Sequence, residues 1–302
     1  MKRICITGAG GMIGTALTEY ALAQDVAVLA LVRPGGKRPN AHPLLTVAES
    51  DLSALDTFQS DLPCDAFVHL SWAATFGGAR DDTSLQVKNI AYTLDAVHLA
   101  QRLGCSAFVS VGSQAEYGLQ KEPLRPDTPC EPLTGYGIAK LAAGKLSRLL
   151  CGQLGLRHCH VRILSVYGGR DRDATLISTC VDTMLRGEAP ELTTCTQMWD
   201  YLYEKDAARA LFLTAEKGRD GAVYPLGGGE CRPLAEYVLE IQKATGCPVP
   251  PLFGARQFPK NQVQYLCADL SAITADTDFV PQVPFAEGIR QTICTRKEKI
   301  TA

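Results

Sequence analysis

The chain has no apolar run near the roughly 20 residues that a membrane-spanning helix requires. It also has no excess of either charge: 30 Lys and Arg against 32 Asp and Glu leave a formal net charge of −2. That balance offers nothing to attract a phosphate backbone or an anionic lipid surface, so neither nucleic acid nor membrane is expected as a partner. Lys2-Arg3 leads directly into a strand-like run, so no signal peptide is expected and a cytoplasmic location is. The 12 cysteines include no C-x-x-C pair. Several, Cys5 and Cys267 among them, lie in apolar runs and read as small buried hydrophobes in a reducing compartment. His158-Cys159-His160 suggests metal ligation, but an alternating strand turns the two histidines to one face and the cysteine to the other, so no metal is expected. Internal repeats and low-complexity segments are also missing. What remains, 46% hydrophobic and 21% charged over 302 residues, fits one large α/β domain or a main domain with a smaller one.

The most informative stretch comes first. Ile4-Cys5-Ile6-Thr7 is an apolar run that breaks into Gly8, Gly10, Gly11 and Gly14, and an apolar helical pattern follows from Met12 to Leu22. A buried strand, a glycine turn and a helix N-terminus make a pyrophosphate site, because backbone N–H groups and the helix dipole favour the anion there. Gly8, Gly11, Met12, Ile13 and Gly14 are the candidate contacts. A plain glycine turn is the alternative, and the flanking strand and helix count against it. Gly8, Gly11 and Gly14 space as G-x-x-G-x-x-G, the spacing of short-chain dehydrogenase/reductase proteins.

The second strand, Val26 to Val32, ends without the acid that would accept bonds from an adenosine ribose and repel a 2′-phosphate. Arg33, Lys37 and Arg38 stand there instead. Since a guanidinium holds phosphate in a bidentate fork, Arg33 indicates NADP, with NAD possible if the segment is only a solvated basic loop. After a third strand at Leu44 to Val47, Asp51-Leu52 lies where adenine would be met; Asp51 reads equally as a helix N-cap. The fourth strand, Ala66 to Leu70, runs into Ser71-Trp72-Ala73-Ala74. Small residues at this strand end let a cofactor lie against the backbone, which makes Leu70, Ser71 and Ala73 candidates, with His69 structural.

Residues 82–103 form a long helical pattern whose apolar positions cover more than one stripe, enough to face both a sheet and a partner subunit. A fifth strand, Ala107 to Val111, ends at Gly112-Ser113. This strand–helix alternation predicts a Rossmann-type, doubly wound parallel sheet with right-handed crossovers. Tyr136 and Lys140 then stand four apart at a helix start, on one face. A nearby ammonium and the helix N-terminus would bring the phenol down from its usual ~10 toward a value useful for proton transfer. Ser113 can donate to a substrate carbonyl or alkoxide. An exposed i,i+4 pair is the alternative reading of Tyr136 and Lys140.

With these residues the chain resembles an extended short-chain dehydrogenase/reductase of the NAD(P)-dependent sugar-nucleotide epimerase/dehydratase family. The likeness runs through Thr7 to Gly14, His69 to Ala74, Asn89, Gly112 to Gly118, Tyr136 to Lys140, Arg162 to Gly168, Trp199 to Ala210 and Tyr224 to Glu230. It implies Ser113, Tyr136 and Lys140 as the catalytic set, Lys140 also holding the nicotinamide ribose, and a nucleotide-linked sugar as substrate. Similar 4,6-dehydratases carry Asp-Glu after the hydroxyl residue, where this chain has Gln114 and Ala115. Hydride transfer at one carbon therefore remains, as 4-epimerisation or 4-keto reduction, and Arg33 tilts it toward NADPH-dependent reduction. A reductase of a small carbonyl compound and a non-catalytic NADP-binding sensor are the alternatives. Family likeness also implies a homodimer through residues 82–103 and 136–154.

Residues 1–165 are expected to form the dinucleotide-binding domain. Residues 166–302 form a smaller substrate-binding region, interleaved with segments at about 198–245 that return to the first. Gln114, Ser165, Arg172 and Arg256 are the substrate candidates, with Gln262 as a further polar residue. Arg172 lies in a charged loop, Gly169 to Asp173, that either faces a diphosphate or pairs within itself. Relatives usually have Asn and Arg where this chain has Ser165 and Trp199. The basic tail, Arg296 to Lys299, reads as a solvated end.

Overall fold

The computed structural model describes residues 1–259 and 261–301, with side chains described through residue 298. In chain order the elements are β1 (Arg3–Thr7), α1 (Met12–Ala23), β2 (Ala27–Val32), β3 (Leu45–Glu49), β4 (Ala66–His69), α2 (Thr83–Arg102), β5 (Ala107–Ser113), α3 (Gly135–Leu154), β6 (Arg157–Ile163), β7 (Ser165–Tyr167) and α4 (Leu176–Leu185). They continue as β8 (Met198–Trp199), β9 (Tyr201–Tyr203), α5 (Glu204–Lys217), β10 (Ala222–Leu226), β11 (Arg232–Pro233), α6 (Leu234–Thr245), β12 (Tyr265–Leu266), α7 (Ser271–Thr277) and α8 (Phe285–Thr301).

Seven strands form one sheet in the order β10-β6-β5-β4-β1-β2-β3, and every pairing in it is parallel. Strands such as Ala-Val-Leu-Ala-Leu-Val in β2 can be apolar throughout because helices cover both faces. Successive residues divide between those faces: Ile4 and Ile6 enter one core with Leu17 and Leu211, while Cys5 enters the other with Val97 and Cys151. The strand order reverses between β1 and β4, and the crevice opens beyond their carboxyl ends. At the head of that crevice Gly14 lies against the turn from β1. A Cβ on Gly14 would sit 2.1 Å from the Gly8 carbonyl oxygen, and Gly8 itself has φ +71°. Glycine is required at both positions.

A second core joins α4, α6 and α8 to the short β7–β9 pair around Tyr167, Tyr203, Tyr237 and Phe285. Tyr237 and Phe285 meet edge to face with centroids 4.7 Å apart. The chain returns to the main sheet through α5, which packs on α1, and through β10, which extends the sheet beside β6. The helix α6, from within the expected returning segment, packs in the second core instead.

Two expectations change, and for Asp51 one of the two readings offered is seen. Cys267 is bonded to Cys231 across a Cα–Cα distance of 5.5 Å and is not a free buried thiol. The basic tail is not a solvated end at Arg296. That guanidinium is 3% exposed; it donates from Nε to Asp182 at 2.6 Å and from Nη2 to Asp173 at 2.9 Å. An amphipathic last helix must bury one side, and Arg296 falls on it; Lys299 lies outside the residues whose side chains are described. Asp51 takes the capping role, accepting from Ser53 N at 3.1 Å. Among the described residues no helix is long and apolar enough to cross a membrane, and no group of His, Cys, Asp or Glu could hold a metal ion.

Candidate active site

A cavity of about 670 Å³ opens at the carboxyl end of the sheet. One wall is the β1–α1 turn: Gly8, Gly10, Gly11, Met12, Ile13 and Gly14 all line it. No side chain caps the N-terminus of α1, so its first-turn N–H groups face the crevice without a protein partner. Leu70 lines the cavity from the end of β4. Ser71 packs behind the turn, 3.1 Å from where a Gly8 Cβ would lie. Asn89 on α2 holds Ala73 through both backbone groups, accepting from its N–H at 2.9 Å and donating to its carbonyl at 3.0 Å. Thr7 Oγ1 accepts from Leu70 N and Ser71 N and pairs with His69 Nδ1 at 2.9 Å. His69 is therefore a strand-end support. Burial first, and then the Lys140 ammonium, push its pKa down to about 3.

Ser113, Gln114, Tyr136 and Lys140 all line the cavity. Thr134 caps α3 by accepting from Gly137 N at 3.1 Å, which sets Tyr136 and Lys140 in the first turns. Ser113 caps a short 3-10 turn at Gln114–Glu116, its Oγ accepting from Ala115 N at 3.2 Å. With a lone pair so engaged, the hydroxyl proton is left for Tyr136 or a ligand. Lys140 is buried, and its nearest partners are not the phenol. Its Nζ donates to the Val111 carbonyl at 2.7 Å and lies 3.9 Å from the Trp72 ring centroid, but 5.9 Å from that of Tyr136. Burial pulls Lys140 down to about 7, against the opposing pull of Glu116.

The expected low pKa of Tyr136 is not found in the protein alone. Burial raises it, and the Ser113 hydrogen bond and the Arg80 cation only partly offset that. Desolvation of a phenolate outweighs a cation that has its own partners elsewhere.

Beneath Ser113 lies an ionised cluster that the sequence reading passed over. Glu116 is fully buried. It accepts from Ser113 N at 2.8 Å, from Arg162 Nε at 2.8 Å and from His160 Nε2 at 3.0 Å. Burial alone would push its pKa up, but His160, Arg162 and the Ser113 N–H together hold it down at about 2. His160 Nδ1 continues to Ser110 Oγ at 2.6 Å, and Ser110 to His158 Nε2 at 3.2 Å. The signal was present in the alternation of His158, His160 and Arg162 along β6.

The far wall carries Ser165, Arg170, Asp171, Arg172, Trp199 and Tyr201. Trp199 Nε1 donates to Ser165 Oγ at 2.9 Å. Arg170 pairs with Glu19 at 2.7 Å, while Arg172 donates to Thr75 at 3.0 Å and lies 4.0 Å from the Phe76 ring centroid. Arg80, Thr75 and Phe76 line the mouth and were not singled out from the sequence. The predicted residues Arg33, Asp51, Leu52, Ser71, Ala73, Arg256 and Gln262 lie outside the cavity lining. Arg256 sits 3.7 Å from Glu191, Gln262 donates to the Val263 carbonyl at 3.1 Å, and Asp51 with Leu52 forms the capped turn after β3. Arg33 is exposed at the end of β2, and the neighbouring Arg38 pairs with Glu49 at 2.6 Å.

Fold and crevice define a Rossmann-type α/β protein with a glycine-turn crevice at the carboxyl end of its sheet. The chain belongs to the NAD dependent epimerase/dehydratase family, whose model matches residues 4–227. It is 25% identical over 313 residues to a dTDP-glucose 4,6-dehydratase of Streptomyces griseus, covering 96% of this chain and 92% of that one. It is 24% identical to a UDP-glucuronate 4-epimerase of Thermodesulfobacterium geofontis, with 98% and 96% covered. A UDP-N-acetylglucosamine 4-epimerase from Methanobrevibacter ruminantium, solved with UDP-N-acetylmuramic acid, superposes with a TM-score of 0.89 at 21% identity over 99% of both chains.

The Glu116 cluster sets a pH dependence. A carboxyl whose folded pKa lies below its unfolded value of 4.5 adds stability above that value and loses it as pH falls toward about 2. Glu116→Ala leaves Arg162 buried without its partner and should cost about 3–5 kcal/mol near neutral pH. In denaturant titrations the gap between the native chain and the variant should narrow from pH 5 to pH 3; a gap independent of pH would refute an ionised Glu116.

Proposed function

We propose that the chain is an NAD(P)-dependent oxidoreductase or epimerase that moves a hydride at one carbon, C4, of a nucleotide-linked sugar. The reaction is 4-keto reduction or 4-epimerisation and not 4,6-dehydration. The observation that carries this reading is the meeting of Ser113, Tyr136 and Lys140 in a single cavity that runs to the uncapped α1 N-terminus. The glycine turn fits a dinucleotide: it exposes backbone N–H groups, and it has no side chain where a pyrophosphate would lie. Gly8, Gly11, Met12, Ile13 and Gly14 would hold the pyrophosphate, Leu70, Ser71 and Ala73 the middle of the dinucleotide, and Asp51 with Leu52 the adenine end. A nicotinamide dinucleotide bound there supplies the hydride donor or acceptor.

The chain's own groups handle the proton and the orientation. Ser113 offers its hydroxyl proton to the oxygen on the reacting carbon, and Tyr136 exchanges a proton with that same oxygen. Lys140, whose Nζ donates to the Val111 carbonyl, would hold ribose hydroxyls. Elimination of water needs an acid and a base beside these groups. Gln114 and Ala115 have no titrating proton, and Glu116 is fixed as a carboxylate by three donors beneath Ser113. Gln114, Ser165 and Arg172 are the substrate contacts of this reading. Arg256 would join them only if its segment moved toward the cavity.

Tyr136→Phe should lower turnover about 10²–10⁴-fold while leaving cofactor binding in place, as measured with nucleotide hexoses and by cofactor titration. Full turnover in that variant would remove Tyr136 from the mechanism. For the dinucleotide, Arg33 at the end of β2 supports NADP and inclines the chemistry toward reduction. Loss of a charge-assisted phosphate contact in Arg33→Ala should weaken NADP relative to NAD by about tenfold or more. An unchanged preference, or NAD found tightly held in the purified protein, would favour epimerisation.

A homodimer through α2 and α3 completes the proposal. Those helices pack on each other and expose Val87, Ile138 and Leu149, each more than half accessible. Sedimentation should give a dimer that Leu149→Glu shifts toward monomer; a native chain that is monomeric at every concentration would overturn this.

A further inference from the structure

Lys140, on the helix that carries Tyr136, is engaged by Val111 and Trp72. The cation nearest the phenol ring comes from elsewhere in the chain. Arg80 sits in the 3-10 turn at Gly78–Asp81, between β4 and α2. Its Cζ lies 4.7 Å from the Tyr136 ring centroid, closer than the 5.9 Å of Lys140 Nζ. Its Nε is buried without a hydrogen-bond partner. Among the described residues no carboxylate pairs with Arg80. The turn is fixed in place: Asp81 accepts from Gly135 N at 2.8 Å, which ties it to the first residue of α3.

We propose that Arg80 is a positioning residue of the proton-transfer step, which stabilises the phenolate of Tyr136 by lying over its ring. The inference rests on Tyr136 as the acid–base group. A guanidinium is charged at every working pH and is weakly enough hydrated to lie on an aromatic face. Over a neutral phenol it gains only the cation–π attraction. Over a phenolate, whose charge spreads into the ring, it gains a full opposite-charge interaction as well. The difference favours the ionised form, and differential stabilisation is what accelerates a step.

The other groups facing Tyr136 leave this work to be done. Burial and the Glu116 carboxylate both resist ionisation, while the Ser113 hydrogen bond and the more distant Arg172 favour it alongside Arg80. Trp72 meets the ring edge-on at 6.0 Å and brings no charge. Ser113 is shared with the substrate oxygen, so its help falls away when a ligand takes the proton. The Arg80 interaction does not, since it uses the ring face and leaves the hydroxyl free.

The test is a direct titration of Tyr136 in the intact protein. Phenolate absorbance is followed against pH, with the matching Tyr136→Phe protein subtracted at each point. Arg80→Gln should move the Tyr136 midpoint up by about one pH unit, and Arg80→Lys by less. In turnover, Arg80→Gln should lower kcat about tenfold on the acid side of the Tyr136 limb, regain it at higher pH and leave cofactor affinity unchanged. A circular-dichroism melt matching the native protein shows that the variant is folded; the turn contributes no residue to the hydrophobic cores. An unchanged midpoint in folded Arg80→Gln overturns the inference. A midpoint that moves while the pH–rate profile stays put upholds the action of Arg80 on the phenol and overturns Tyr136 as the acid–base group.

Discussion

A carboxylate cannot be buried ionised unless donors surround it, and in this fold the donors that Glu116 needs decide how the end of β5 is built. The Ser113 N–H is one of them, so the backbone of the strand-end serine is fixed by a charge beneath it. Arg162 and His160 are the others, both on β6, so the charge also ties the neighbouring strands β5 and β6 together. The arrangement leaves no room for a side chain at Gly112, where a Cβ would lie 2.2 Å from the Glu116 oxygen. Ser113 then caps the next turn, and its hydroxyl direction follows. The orientation of that hydroxyl is thus a consequence of burying a charge out of sight of the cavity.

Burial acts on the two titrating residues of the cavity in opposite senses. It brings Lys140 down to about 7 and drives Tyr136 up. Both shifts disfavour charge, as desolvation must. A site left to burial alone would hold a neutral amine and a neutral phenol, and neither would polarise anything. Glu116 works against this for Lys140, and Ser113 and Arg80 work against it for Tyr136. The cavity is therefore a low-dielectric space in which each useful charge has an assigned opponent to desolvation. Such a space makes every placed dipole count for more than it would in water.

The sequence made the periodic and local features legible. Apolar runs broken by glycine located the main strands within a residue or two, because a strand covered on both faces has to be apolar throughout. The start of α1 was readable from the apolar pattern behind the glycines, and Tyr136 with Lys140 from their spacing. What stayed hidden depends on long-range burial. Nothing local says that Glu116 is desolvated, since the partners that hold it are 44 and 46 residues away. Arg80 reads as one more charge in a polar turn until α3 is seen to pass beside it. Arg296 sits in a basic tail whose residues look alike until the packing of α8 selects one for burial. Asp51 was balanced between adenine and cap, and the cap is a contact between neighbours.

The same distinction separates the two ends of the crevice. The end at the glycine turn is made of backbone, and backbone geometry follows from glycine spacing, so it was readable. The opposite end is made of side chains from loops that meet only in three dimensions. There Trp199 and Ser165 bond to each other and form an uncharged wall. The cationic groups are Arg80, Lys140, Arg170 and Arg172, against the single acid Asp171 in the lining. Arg170 is matched by Glu19, and Asp171 is occupied in accepting from Thr175 at 2.8 Å. Among the described residues the other three, Arg80, Lys140 and Arg172, pair with no carboxylate, so the lining carries surplus positive charge. A lining with that surplus favours anions over neutral molecules, and the surplus is summed over residues too far apart in the chain to be read together from local pattern.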